Sequence, residues 1–250
     1  MTGVAIEASG AGPAVLLLHG TPTDWDLLRP IAQRTQGRRT LLAALPGYGN
    51  APAWPSPPNA AGIVEAIEEA LLDVGVRRLS IVGFSGGAHH ALHLAVRGVV
   101  HVENVVALGC LADLSLEERS GMKGMAAALR RGASFAGVPT TRFLAPKFAA
   151  SHPQACCRVE AWLSATSPSN LALELEAFAD APPLLDQLSR FEGRVLARTG
   201  ALDLATPPAH AVSVAQACSR GVAQIVERCG HALLEEDFEP TIAATLAFLR

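Results

Sequence analysis

No run in this sequence approaches the roughly 20 apolar residues that a bilayer-spanning helix needs. Uninterrupted stretches such as Ala14 to Leu18 and Val105 to Leu108 fall far short of it. Basic residues form no stripe, and 20 Lys and Arg stand against 23 Asp and Glu for a net charge of -3. A surface for nucleic acid or for an anionic membrane therefore has no electrostatic support. Met1 to Gly10 has no basic segment and the apolar stretch after it ends at His19, so no secretory signal is expected. The five cysteines are odd in number and lack metal-ligand spacing, which points to a reducing compartment. Charged residues make up only 17% of the chain and hydrophobic ones 50%, which excludes disorder and supplies a sizeable core. The length suits one large domain, or a core domain carrying an insertion. The expectation is a soluble, cytoplasmic monomer or homodimer with no nucleic-acid or membrane partner.

What is present is a rhythm. Ala14 to Leu18 is apolar throughout, as a strand covered on both faces must be. Arg39 to Leu45, Arg78 to Phe84, Glu103 to Cys110, Gly193 to Thr199 and Val222 to Glu227 repeat the pattern. Helical spacing fills the intervals at Leu27 to Thr35, Ala61 to Val74, Gly87 to Arg97, Pro208 to Ser219 and Glu239 to Leu249. In the second of these, Ile63, Ala66, Ile67, Ala70, Leu71 and Val74 share a face that Glu65, Glu68, Glu69 and Asp73 avoid. Strand and helix in alternation predict an α/β fold, a doubly wound and mostly parallel sheet with helices on both faces. Residues 111–192 break the rhythm: helical patterns at Leu116 to Arg131, Thr141 to Ala150, Gln154 to Ser164 and Asn170 to Phe178 are punctuated by prolines, with no convincing strand. This segment reads as a helical cap inserted into a core of 1–110 and 193–250. Ala51 to Asn59, with four prolines, reads as an exposed loop.

The strongest chemical signal is Gly83-Phe84-Ser85-Gly86-Gly87, a G-x-S-x-G pattern between a predicted strand and a predicted helix. A turn that sharp needs glycine around the serine, because a Cβ there collides with backbone. It leaves the Ser85 hydroxyl above the carboxyl edge of the sheet, at a helix N-terminus that favours developing negative charge. The competing reading is a glycine-rich turn with an incidental serine.

At these residues the chain resembles the α/β-hydrolase superfamily over nearly its whole length. His19-Gly20-Thr21-Pro22 is similar to the family's His-Gly loop, and Leu45-Pro46-Gly47-Tyr48-Gly49-Asn50 to a second family stretch. There Ala43 and Ala44 stand where an aspartate is usual, and Asn50 where a serine is. The short lead before His19 implies that one strand of the family's leading antiparallel pair is missing or reduced. The resemblance implies a catalytic triad in the chain order serine, acid, histidine. Asp203, in Gly200-Ala201-Leu202-Asp203, matches the acid, and His231, in Gly230-His231, matches the histidine. A helix cap for Asp203 and a surface role for His231 are the competing readings. Asp113 is the next acid to consider. The oxyanion donors implied are the backbone N–H groups of Gly86 and Thr21, with Thr23 as fallback because Pro22 has no N–H. His19 is expected to organise its loop.

The implied activity is hydrolysis of a carboxylic ester or lactone through an acyl-enzyme, with no metal or organic cofactor and a small-molecule substrate. Serine at the nucleophile position argues against the superfamily's dehalogenases and epoxide hydrolases, which place a carboxylate there. Carbon–carbon bond hydrolases, thioesterases, perhydrolases and proline-type aminopeptidases share the triad and stay open. So does a ligand receptor of the same architecture. Phe84, Phe143 and Trp162 are the candidate substrate-binding residues. Met122, Met125, Leu129, Phe135, Leu144 and Phe148 join the last two as an expected apolar inner face of the cap. His89 and His93, spaced to share a helix face, lack a carboxylate to complete a metal site and read as packing residues. Adjacent Cys156 and Cys157 read as insertion-helix residues. Glu174 and Glu176 would hold a substrate amine if the chain were an aminopeptidase; alternating with Leu173, Leu175 and Ala177, they read instead as a solvated helix edge.

Overall fold

The computed structural model describes residues 3–49, 51–54 and 57–250. Met1, Thr2, Asn50 and, within the proline-rich loop, Pro55 and Ser56 lie outside them. Strand β2 (Ala14–Leu18) is buried at all positions, so its side chains divide between two apolar layers. Leu16 and Leu18 join Leu41 and Ile81 on one side, while Val15 and Leu17 join Leu42, Val82 and Val106 on the other. The same division runs through β3 (Arg39–Ala44), β4 (Arg78–Phe84), β5 (His101–Leu108) and β6 (Arg194–Gly200). Helices α2 (Ala60–Asp73), α3 (Gly86–Arg97) and α9 (Pro208–Ala217) cover the first layer. Helices α1 (Arg29–Arg34), α10 (Leu233–Glu236) and α11 (Phe238–Phe248) cover the second.

With β1 (Ala5–Ser9) and β7 (Gly221–Val226) at its edges, the seven-stranded sheet has the order β1-β3-β2-β4-β5-β6-β7. Only β1 runs antiparallel, pairing with β3. The other pairs are parallel, so the loops after β2, β4, β5, β6 and β7 all leave from one edge. This is the doubly wound, mostly parallel architecture expected from the rhythm. Strand β1 was not among the expected strands, because a half-exposed edge strand carries no apolar run. Strand β5 ends at Leu108 rather than Cys110, since the chain turns at Gly109 with a φ of +60°.

Between β5 and β6 the described residues form helices and no strand: α4 (Leu116–Arg130), α5 (Pro146–Ser151), α6 (Pro153–Ala165), α7 (Pro168–Asp180) and α8 (Leu185–Leu188). Proline opens α5, α6 and α7, where its missing N–H costs nothing. A capping box of Ser115 and Glu118 starts α4. Helices α4 and α7 pack through Ala126, Leu129, Leu171 and Ala172, and α6 packs with Phe143 and Leu144. No helix among the described residues is long and apolar enough to cross a membrane.

Candidate active site

Strand β4 stops at Phe84 and α3 starts at Gly86, so Ser85 is the whole connection. Its backbone is driven to φ +53°, ψ -119°, a region that costs a non-glycine residue about 1–3 kcal/mol. The elbow closes only because a Cβ on Gly83 would lie 2.4 Å from the Gly87 carbonyl oxygen, and one on Gly87 would lie 2.3 Å from that of His19. Gly86, as the first helical residue, is among those whose N–H has no intrahelical acceptor.

His231 follows β7 in a loop tied to the helical segment: Ala232 N–H donates to the Phe143 carbonyl at 2.9 Å. Glu236 takes the Gly230 and Ala145 amides on its two oxygens. Asp203 Oδ2 lies 2.8 Å from His231 Nδ1 and also accepts the hydroxyls of Thr206 and Thr199 at 2.8 and 3.1 Å. Its Oδ1 accepts the amides of Ala205 and Thr206. Asp203 is therefore a turn cap on one oxygen and a histidine partner on the other, and it does not cap α9, whose N-cap is Pro207. Burial works against its charge, yet the facing His231 and the Thr206 donors outweigh that and hold the carboxyl below its ordinary value. Asp113 lies elsewhere, accepting the Leu184 and Leu185 amides.

Thr21 follows β2. A Cβ on Gly86 would come within 2.7 Å of the Thr21 Oγ1, so the loop after β2 and the start of α3 face each other closely. Thr23 is occupied differently, its hydroxyl bonding the Gly20 carbonyl and accepting the Gly20 amide. His19 accepts the Leu45 amide on Nε2 at 3.0 Å and places Nδ1 3.0 Å from the Gly20 carbonyl oxygen. Burial lowers its pKa, and a neutral ring with its proton on Nδ1 fits both bonds.

The reading of Glu174 as a solvated edge is overturned. Its exposure is 0%, and its Oε2 accepts the Tyr48 hydroxyl at 2.7 Å and the Thr21 hydroxyl. In helix α7 it shares a face with Leu171 and Phe178, three and four residues away, and that spacing was the available signal. Glu176 does sit at the surface, paired with Arg130. Thr206, Thr199 and Glu236 escaped notice because a hydroxyl or carboxylate that supports a site has no motif of its own.

Ser85, Gly86, Thr21 and His231 line one cavity of about 390 Å³. Met122 and Met125 of α4, Phe135, Phe143, and Leu171, Leu175 and Phe178 of α7 form its apolar walls. Phe84 and Trp162 do not line it: with Phe143 they border a separate crevice of about 10 Å³ beside His231. Leu129, Leu144 and Phe148 pack the helical segment onto itself. Two ionic groups also reach the cavity, Glu118 and Arg142, which the expectation of an apolar face did not include. Glu118 is engaged by His210 and the Ser115 amide. His89 and His90 are buried against Phe178, and His93 is buried against His89, with burial first among the causes that lower their pKa values. All five cysteines are free. No group of three or more His, Cys, Asp or Glu among the described residues could hold a metal ion.

Residues 15–244 match the Alpha/beta hydrolase family. A stretch of 87 residues, 33% of the chain, is 37% identical to epoxide hydrolase 3 of Siraitia grosvenorii and spans only 28% of that protein. Among solved structures, a thermophilic esterase from Thermogutta terrifontis superposes with a TM-score of 0.89 at 20% identity, covering 99% of this chain and 93% of that one. A hydrolase from Pseudomonas aeruginosa gives 0.86 at 25%, with 98% and 94% covered. The enol-lactonase from Burkholderia xenovorans gives 0.80 at 20%, with 98% and 96% covered.

Proposed function

The chain belongs to the alpha/beta hydrolase family, and from that premise we propose that it hydrolyses carboxylic esters or lactones of hydrophobic, small to medium substrates through Ser85, His231 and Asp203. The observation that carries this reading is the placement of His231, 2.8 Å from Asp203 Oδ2, on the wall of the cavity that Ser85 also lines. The likeness to an esterase and an enol-lactonase supports it as far as fold reaches. The short match to an epoxide hydrolase carries no further, since a serine rather than a carboxylate occupies the elbow of this chain.

In this mechanism His231 Nε2 takes the Ser85 proton as Oγ attacks the carbonyl carbon. Asp203 on Nδ1 fixes the tautomer that leaves Nε2 free and stabilises the imidazolium. The tetrahedral oxyanion is received by the N–H groups of Gly86 and Thr21, with the N-terminal dipole of α3 behind the first. His231 then returns the proton to the leaving alcohol. Water repeats the sequence on the acyl-enzyme and releases the acid. Residues 111–192 act as a cap, with α4 and α7 forming the far wall of the pocket.

Turnover of chromogenic acyl esters and lactones, with aminoacyl amides as a contrast, tests the reading. A fluorophosphonate that labels the protein at Ser85 separates an enzyme from a receptor of the same fold. Labelling without turnover of any ester or lactone would remove the ester reading. Lack of both would remove the nucleophile. Wall contacts predict selectivity as well. Truncating Phe143 would confuse the result, since it belongs to a packed cluster whose large-to-small losses run to about 3–5 kcal/mol. Met122 is half-buried on the cavity, and Met122→Trp should narrow it. Rates on octanoyl relative to acetyl esters should fall roughly tenfold or more at an unchanged melting temperature. An unchanged chain-length profile would place the acyl group elsewhere.

A further inference from the structure

We propose that Glu174 is a positioning residue for the oxyanion donor of the Thr21 peptide, linking helix α7 to the reacting centre. The proposal rests on the hydrolytic reading above and adds to it a group outside the triad. Its side chain is fully buried, and among the described residues it has no ion-pair partner. A carboxyl in that position burdens the fold, because burial penalises its charge and no cation offsets the penalty. Leucine would suit the same helix face, between Leu171 and Phe178, at no such cost. What the carboxyl does make is specific: Oε2 receives the Thr21 and Tyr48 hydroxyls together, while Oε1 has no partner.

Thr21 is where that bond has leverage. Pro22 follows it, which restricts the backbone of Thr21, and its side chain abuts Gly86. Pinning the hydroxyl to Glu174 fixes the side chain, and with it the direction of the neighbouring N–H. Tyr48 braces the same carboxyl from the loop after β3. Among the described residues, the side chains hydrogen-bonded to Glu174 are uncharged, Thr21 from the β2 loop and Tyr48 from the β3 loop, and the residues four positions before and after it on α7 are Asn170 and Phe178. His19, whose ring lies 4.8 Å from that of Tyr48, has its pKa lowered by burial.

Protonation changes the arrangement. Desolvation pushes the Glu174 carboxyl up to about 7, with the Thr21 and Tyr48 bonds pulling the other way. A proton on Oε2 would displace one of the two hydroxyl donors, and a proton on Oε1 would meet no acceptor. The ionised form therefore holds Thr21 best. The sign for stability is opposite. A carboxyl whose folded value is raised above its unfolded one favours the folded state at low pH, and that contribution is lost as pH rises through about 7. Glu174 thus serves catalysis in the form that the fold tolerates least.

The test compares wild type with Glu174→Gln, which keeps the shape and cannot ionise. At pH 8, kcat on a chromogenic ester should fall about tenfold, short of the loss from removing an oxyanion donor outright, while KM is unchanged and the melting temperature is equal or higher. The wild-type to variant ratio of kcat should shrink towards one as pH is lowered from 8 to 5.5. Tyr48→Phe, which removes one donor from the carboxylate, should move that inflection to higher pH. A pH-independent ratio overturns the proposal, as does a fall in kcat that comes with a fall in melting temperature. If Glu174→Gln does not fold, the ratio of wild-type to Tyr48→Phe kcat is followed over the same pH range instead, and a ratio that does not change with pH overturns it equally. A wild type that turns over no ester defeats the hydrolytic reading itself, which is a different result.

Discussion

Ser85→Ala is expected to fold as the wild type does and to lose roughly four to six orders of magnitude in ester turnover, by analogy with removal of a nucleophile that acts as a unit with its base. The fold should not register the change. Ser85 caps α3 without a side-chain hydrogen bond, so the variant leaves no donor or acceptor stranded. Its positive φ is imposed by the backbone contacts of Gly83 and Gly87, and alanine pays the same strain as serine there. Melting temperature should therefore agree within a few degrees, and fluorophosphonate labelling should vanish. What activity is left would come from the cavity and the oxyanion donors acting on water. Substantial turnover by this variant would mean that another group attacks the substrate.

The elbow was legible because three constraints coincide on a few residues: an apolar strand, glycines that admit backbone at close range, and an apolar helix. The ends of β4 follow from the residues directly, and α3 begins within one residue of its expected start. Asp203 and His231 could be singled out as candidates because each follows a strand, in the order that the family resemblance implies. What supports them could not. Thr206 and Thr199 reach Asp203 through hydroxyls, and threonine in a turn has too many other uses to signal that. Glu174 was misread through a period of two, alternating with leucines, where the helix imposes 3.6 and places it inward. Trp162 and Phe84 are large and apolar, which suits a pocket wall and a packed interior equally. Apolarity says that a side chain is covered, but not whether cap or substrate covers it. Prolines punctuate the helical segment without dividing it as its periodicity suggests: Pro146 begins α5, so the pattern at Thr141 to Ala150 is a single turn of 3₁₀ helix at Thr140–Arg142 and a separate helix.

The second large effect is expected from Asp203→Asn, and the hydrogen bonds around the carboxylate determine its form. Oδ1 accepts two backbone amides, from Ala205 and Thr206, and these cannot turn away. In the variant the amide oxygen must take that side, which leaves the NH2 group facing His231 Nδ1 and the Thr206 hydroxyl. A donor now meets His231 where an acceptor stood. The ring answers by presenting unprotonated Nδ1 and carrying its proton on Nε2, the nitrogen that has to accept from Ser85. Turnover should drop about 10⁴-fold with KM little changed, and labelling of Ser85 by a fluorophosphonate should slow to match. Acid sensitivity should change in a related way. Because the Asp203 carboxyl is held below its usual value, its contribution to wild-type stability is present above the ordinary aspartate range and is lost as pH falls through the depressed value. The asparagine variant should lack that acid-side component in a melting-temperature titration. Asp113→Asn serves as the contrast: its carboxylate holds the amides of Leu184 and Leu185, so kcat should stay at the wild-type level even if stability declines. Near-normal turnover by Asp203→Asn together with a collapse in Asp113→Asn would reverse the assignment of the acid.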